Sequence, residues 1–309
     1  MQVKPLKIAA MTLALMTPAL SAQAERYAFI THAVDGDEWW QTMRNAADLA
    51  AQQMGVEVQH FNPTNGSLDE MAAILNAVAD GGFAGVVTTL PDAQKLSESV
   101  VGIQENGSDV IVVNSGTVAQ ADALGAVMYV GQPDYDAAFA AGQRARADGV
   151  DSFLCVNDRP EVPAARERCL GFADGLGLDL AGRELRLSDA SDAASIAQRL
   201  ADDGEAEAVF TLGATAAQSA LQALANMPAD RTIYHATFDL DEVVVQAIQD
   251  GRTAFAIDQQ QFLQGYMPIV VFANLHRYGV LPANDIDSGP GFVTRETLGL
   301  IASHAGTLR

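Results

Sequence analysis

The sequence predicts an α/β protein made of two doubly wound, parallel-sheet lobes joined by a hinge. Three observations lead there. Short, nearly continuous apolar runs alternate with stretches of helical spacing from Arg26 to Tyr278, the pattern of parallel strands covered by helices on both faces. Some ten such strands fall into two successive sets, which fits two open sheets better than one closed barrel. No low-complexity linker separates the sets, so the chain must cross between lobes in short, hinge-like segments.

The elements follow in order. Arg26–Thr31 is a β-rich run, and the segment Asp37–Met54 carries helical spacing through Trp40, Met43, Ala47, Ala50 and Met54 before Gly55 closes it. Val56–Phe61 is the next strand. Ser67 with Glu70 three residues on reads as a capping box for a helix ending at Asp80. Ala84–Thr89 and Asp109–Val113 are apolar strands flanking a helix from Asp92. After Ala126–Asp134 the grammar restarts. Strands are expected at Ser152–Val156, Glu184–Leu187, Ala208–Leu212, Thr232–Phe238 and Thr253–Ile257. Helices are expected up to Asp148, and at Ala164–Leu176, Ala193–Asp202, Ala216–Asn226 and Glu242–Asp250, with a long amphipathic one over Gln261–Tyr278. The expected division puts residues 25–127 and 260–282 in an N-terminal lobe, and 128–259 and 283–309 in a C-terminal lobe.

Residues 1–24 read as a cleaved export signal. Lys4 and Lys7 precede an apolar run from Ile8 to Leu20, and Ala22 and Ala24 form an A-x-A site before Glu25. Cleavage there leaves 285 residues and, because it removes two lysines and no acid, deepens the formal charge of −21 by two. A periplasmic protein is expected. So acidic a surface repels nucleic acid and anionic membranes. An apolar content of 49 % argues against disorder. Cys155 and Cys169 are the only cysteines. Export permits a disulfide between them, closing a loop of about 15 residues worth about 3 kcal/mol. Two buried, unbridged thiols explain the pair equally well.

In open α/β sheets ligands bind beyond the carboxyl ends of strands, so the strand-to-helix turns matter most. Here they read HAVDGDEWW, TTLPD, VNSGT, VGQPD, NDRPEVPAARER, TLGAT, TFDLD and IDQQQ. Amides, carboxylates, arginine and two adjacent tryptophans are what a polyhydroxylated molecule needs: acceptors and forked donors for hydroxyls, flat apolar faces for C–H surfaces. Trp39 and Trp40 diverge by about 100° on a helix, so at least one must point away from the main core. Enzyme motifs fail. There is no G-x-S-x-G, no phosphate loop ending in G-K-[ST] and no H-E-x-x-H. The five histidines lack metal-ligand spacing, and the DGDE stretch has no downstream calcium ligands. No metal or cofactor is expected.

The order of leader, two α/β sets, aromatic pair after the first strand, AARERCLGF, TFD and IDQQQFLQGY resembles the ribose/galactose type of periplasmic sugar-binding protein, the receptors of ABC importers. The resemblance implies a type I periplasmic binding fold. It also implies a site formed by Asp37, Trp39, Trp40, Thr89, Asn114, Gln132, Arg166, Asp239 and Gln259, with Arg166 as the sugar-binding arginine and Asp239 as the acid taking two hydroxyls. Asn114–Ser115 and Gly213–Ala214 depart from the Asp-Arg and Asn-Asp common in that family, removing contacts and leaving room. Aspartates after strands also serve as helix caps, which is the competing explanation for Asp239. Few cations among many acids favour a neutral monosaccharide or sugar alcohol. A monomer that hands its ligand to a membrane-embedded ABC permease is the implied function. A receptor for a furanosyl or chemotactic signal, or an exported sugar-acting enzyme, is the alternative.

Overall fold

The computed structural model describes residues 24–34, 36–228 and 231–301; the expected leader, apart from Ala24, lies outside them. Two six-stranded sheets repeat one strand order. In the first, β1 (Arg26–Ile30), β2 (Glu57–Phe61), β3 (Gly85–Thr88), β4 (Asp109–Val113), β5 (Met128–Gly131) and β11 (Ile286–Asp287) pair as β2-β1-β3-β4-β5-β11, all parallel. In the second, β6 (Phe153–Asn157), β7 (Glu184–Arg186), β8 (Ala208–Thr211), β9 (Tyr234–Phe238), β10 (Phe255–Asp258) and β12 (Gly291–Val293) pair as β7-β6-β8-β9-β10-β12, with only β12 antiparallel. The strand order reverses between β1 and β3 and between β6 and β8, and crevices open at such points.

Sheet membership differs from the expected division at two strands. β5 and β11 were expected in the second lobe but pair in the first sheet, because Met128–Gly131 continues the parallel ladder from β4 and β11 extends it. The strands β11 and β12 have two and three residues, are only partly buried and stand outside the strand–helix alternation, so no run in the sequence marks them.

Helices cover both faces. The first layer comprises α1 (Glu38–Met54), α2 (Leu68–Ala79), α3 (Ala93–Glu105) and the short α4 (Val118–Ala123), and α10 (Gln261–Tyr278) returns to pack on α1. The second comprises α5 (Asp134–Ala147), α6 (Pro163–Leu176), α7 (Ala193–Asp202), α8 (Ala214–Ala225) and α9 (Glu242–Asp250). Local chemistry sets the ends. Ser67 accepts from Glu70 N at 3.4 Å, but Glu70 turns to Thr64, so the expected capping box is half formed. A full one stands at Thr117 and Gln120. The α5–α6 crossing is close because Gly142, Gly171 and Gly175 present bare backbone: a methyl at Gly171 would overlap the Tyr135 carbonyl, and one at Gly175 the Phe139 carbonyl.

Among the described residues the chain crosses between the sheets three times, at Gln132–Pro133, Gln259–Gln260 and Ser288–Pro290. These segments are tied together. Gln264 Nε2 donates to Gln259 O and Ser288 Oγ, both at 2.9 Å, Gln260 Nε2 donates to Ser288 O at 2.6 Å, and Ser288 N donates to Gly131 O at 2.8 Å.

Candidate functional site

Among the described residues, three other than glycine have left-handed backbone: Asn114 (φ 57°), Asp239 (φ 63°) and Gln260 (φ 53°). They follow β4, β9 and β10, and such conformers persist where surrounding structure enforces them, commonly at functional sites. Asn114 is held by Gln264, whose Oε1 accepts from Asn114 Nδ2 at 2.9 Å, and by Tyr129, whose hydroxyl donates to Asn114 O at 2.6 Å. Asp239 accepts from Gln259 Nε2 at 2.7 Å. It does not cap the following helix; Asp241 does, accepting from Val244 N at 2.7 Å. The competing explanation for Asp239 therefore fails.

Asp37, in contrast, is the cap of α1, accepting from Trp39 N at 3.0 Å. That cap sets the phase of the helix and separates the two tryptophans. Trp40 is buried in the core of the first layer with Met43 and Phe29. Trp39 packs edge-on against it, ring centres 4.8 Å apart, and turns its indole N–H toward Asp239 of the second sheet. It sits beside that carboxyl without completing a hydrogen bond, and Trp39 Nε1 is left buried and unpartnered. Thr89 serves the same wall from behind: its hydroxyl bonds His32 N at 3.1 Å and His32 Nδ1 at 3.0 Å, and His32 meets Trp40 edge-on. Burial lowers the His32 pKa to about 4, against a smaller opposing pull from Asp37, so the imidazole is neutral near pH 7.

The arginine expected at position 166 stands elsewhere. The Arg166 side chain is 51 % exposed and reaches Glu184 at 3.7 Å. The arginine of the site is Arg168, 6 % exposed. Helix phase decides between them: Ala165, Cys169 and Phe172 form the buried face of α6, and Arg168 lies on it while Arg166 points out. Arg168 Nε donates to Asp134 Oδ1 at 2.6 Å, its Nη1 donates to Leu212 O at 2.8 Å, and the guanidinium lies 4.0 Å over the Phe238 ring. Burial disfavours this charge, but Asp134 and then Asp239 more than offset it. Next in sequence, Cys169 forms a disulfide with Cys155, which settles the open question about the two cysteines and staples α6 to β6 at the site.

Asp239 feels the opposite balance. Burial pushes its carboxyl up, opposed chiefly by Arg168 and then by Gln259, Arg159 and Trp39. Other buried polar atoms also lack partners among the described residues: both ends of the Gln132 amide, 4 % exposed and packed beside Gly289 at the crossing between the sheets, and Oδ1 of Asp158, whose carboxyl acts on Arg168. Asp134, Asp158, Arg159, Arg168 and His32 were not anticipated. Arg168 was recoverable from helix phase, whereas Asp158 and Arg159 sit in an irregular turn that carries no periodicity. Surface hollows between α8 and α9 and between α5 and α6 lie outside this arrangement. Among the described residues no group of three or more His, Cys, Asp or Glu is placed to hold a metal ion.

Similar proteins share this fold. The model of the periplasmic binding protein domain matches residues 27–278. A carbohydrate transporter from Acidothermus cellulolyticus 11B, solved in complex with myo-inositol, is 29 % identical, with 93 % of this chain and 100 % of that one covered at a TM-score of 0.78. GanP, a glucose-galactose binding protein from Geobacillus stearothermophilus, is 19 % identical over 89 % of this chain and 98 % of its own, TM-score 0.73. A solute binding protein from Actinobacillus succinogenes 130z with bound D-allose is 15 % identical over 89 % and 99 %, TM-score 0.73. These last two share the fold. No curated protein matches the chain. With the family model spanning both sheets and most of the chain, the protein belongs to the periplasmic binding protein family.

Proposed function

We propose that the protein is the solute-binding component of an ABC importer and holds a neutral monosaccharide or sugar alcohol between its two sheets. One observation carries the reading: beside the buried Asp239 carboxyl the Trp39 Nε1 donor is buried without a partner, and Asp158 Oδ1, whose carboxyl acts on the same Arg168 as Asp239 does, is likewise unpartnered. An unpaired buried polar group costs about 1–3 kcal/mol, so a ligand rich in hydroxyls gains by pairing several at once. Donors and acceptors are both present, which suits hydroxyls, since each hydroxyl is donor and acceptor together.

Charge narrows the class. Arg168 bonds Asp134 and Leu212 O and also feels Asp158 and Asp239, so three carboxylates share Arg168 and Arg159. A sugar acid would add like charge to an already acidic, closed site. The myo-inositol complex of the 29 % identical relative supports a cyclic polyol as one candidate. The three tied crossings form the hinge about which the lobes close, and the closed form is what a permease would receive. Export to the periplasm by the leader at residues 1–24 and action as a monomer complete the reading. No bond is made or broken, and turnover of a bound sugar would contradict it. Thermal melting with myo-inositol, D-ribose, D-allose, D-galactose and D-glucuronate tests it, since a native-state ligand raises stability by RT ln(1 + [L]/Kd). A neutral probe should raise the melting temperature, and D-glucuronate should not.

A further inference from the structure

The turn after β6 brings a second guanidinium to the site from an unexpected direction. Arg159 is exposed overall, but its Nη2 reaches inward to Leu212 O at 3.2 Å. That carbonyl already accepts from Arg168 Nη1, so two cations converge on the end of β8. Arg159 arrives along the bare face of Gly213: a Cβ built there would stand 3.9 Å from both Arg159 Nη2 and Asp239 Oδ2. Gly213 has φ −175°, extended backbone open to any residue, so glycine is not required by conformation. Its missing side chain instead leaves the path between Arg159 and Asp239 clear. The turn is held in place because Arg159 N donates to Asn157 Oδ1 at 3.1 Å and Asn157 Nδ2 donates to Glu184 Oε1 at 2.7 Å.

We infer that Arg159 is a specificity-determining residue of the site: its guanidinium passes over Gly213, stands beside Asp239, and offers the donors not spent on Leu212 O to oxygens of the ligand that Asp239 holds. Two groups with complementary roles then face one edge of a polyol. Asp239 accepts from hydroxyls, and the Arg159 fork donates to neighbouring oxygens, so a vicinal pair of hydroxyls is read by both. The inference rests on the polyol-binding reading above and adds a residue and a selectivity to it. Arg159 also supplies positive charge beside Asp239, in line with its effect of holding that carboxyl's proton affinity down.

The test is calorimetric titration of myo-inositol, D-ribose, D-allose and D-galactose into the wild type, Arg159→Ala, Arg159→Lys, Gly213→Val and the Arg159→Ala/Gly213→Val double variant. Arg159→Ala should weaken the best-bound probe by about tenfold or more and compress the ranking of the four, as loss of a charge-assisted donor does. Arg159→Lys should fall between, keeping charge without the fork. Gly213→Val should weaken binding in the wild type but add little in the Arg159→Ala background, because its effect is to block Arg159. Arg159→Ala binding every probe within about twofold of wild type, with the ranking kept, overturns the inference. If the wild type binds none of the probes, the polyol reading fails, and the placement of Arg159 is then judged on the ligand-free protein. The Asp239 carboxyl, followed by carbon NMR, should titrate at higher pH in Arg159→Ala; an unmoved midpoint overturns the placement.

Discussion

The two walls of the site are built from different materials. The first-sheet wall is aromatic and largely satisfied within itself: Trp39 rests on Trp40, Trp40 on His32, and His32 on Thr89. The second-sheet wall is ionic: Arg168, Asp134, Asp158, Asp239 and Arg159 share one neighbourhood, fastened by the Cys155–Cys169 disulfide. A polyol, the ligand proposed above, has two kinds of surface, C–H faces and a hydroxyl rim, and each wall suits one of them. Packing shapes the first wall, so its residues are replaceable in proportion to volume. Desolvated charge shapes the second, where removing one member leaves another uncompensated.

The largest effect should therefore come from Arg168→Ala. It strips the partner from Asp134 and the main stabilising charge from Asp239, at a cost of about 3–5 kcal/mol. Denaturant unfolding should show that loss, and polyol binding should vanish with it. A variant of near wild-type stability would mean that the second wall is not held by its charges. Breaking the disulfide, as Cys155→Ala/Cys169→Ala, comes next at about 2–4 kcal/mol, again read by unfolding.

The tryptophans sharpen the contrast from the other side. Trp40→Ala should cost about 3–5 kcal/mol of stability, since it empties a core position. Trp39→Ala should cost far less stability yet weaken ligand binding by tenfold or more, roughly the effect of losing a stacked aromatic face. If the two variants unfold alike, the assignment of one ring to the core and the other to the cleft is wrong.

Acid should act on the first wall through His32. Its folded pKa of about 4 lies below the ordinary 6.5, so the folded protein takes up the proton less readily than the unfolded chain. Stability from this group is thus complete above about pH 6.5 and is lost as the pH falls toward 4. His235, between Thr211 and Thr253 in the second core and lowered by burial to about 3, adds to the loss in the same sense. Asp239, raised by burial, opposes them, gaining stability on protonation. Melting temperature against pH should decline on the acid side, and His32→Gln should flatten part of that decline. The smallest effect belongs to Arg166→Ala, whose side chain pairs with Glu184 on the surface: binding should stay within about twofold, as exposed pairs contribute about 0–1 kcal/mol.

The comparison also shows what a sequence displays and what it hides. The strands β1 to β10 and the helix Gln261–Tyr278 were legible because apolar burial on two faces writes itself as runs and spacing. The two walls differ in this respect as well. The tryptophan pair was visible, and the question of which ring leaves the core was answered only by the Asp37 cap that sets the phase of α1. Of the paired arginines in RER, the buried one was recoverable from the positions of Ala165, Cys169 and Phe172. Asp134, Asp158 and Arg159 were not, because long-range charge placement leaves no local pattern. Neither do the short strands β11 and β12, which form only because both sheets already exist to receive them.

The most direct test of a two-walled polyol clamp is tryptophan emission during titration with myo-inositol, D-ribose, D-allose and D-galactose, in the wild type and in Asp239→Asn. Trp39 and Trp40 are the only tryptophans, so the signal reports on the first wall alone, while the substitution lies in the second. At least one neutral probe should change the emission of the wild type saturably, and Asp239→Asn should need about 100-fold more of it, as loss of a buried charged acceptor requires. A probe that binds by calorimetry but leaves the emission unchanged, or that titrates Asp239→Asn like the wild type, would contradict the clamp.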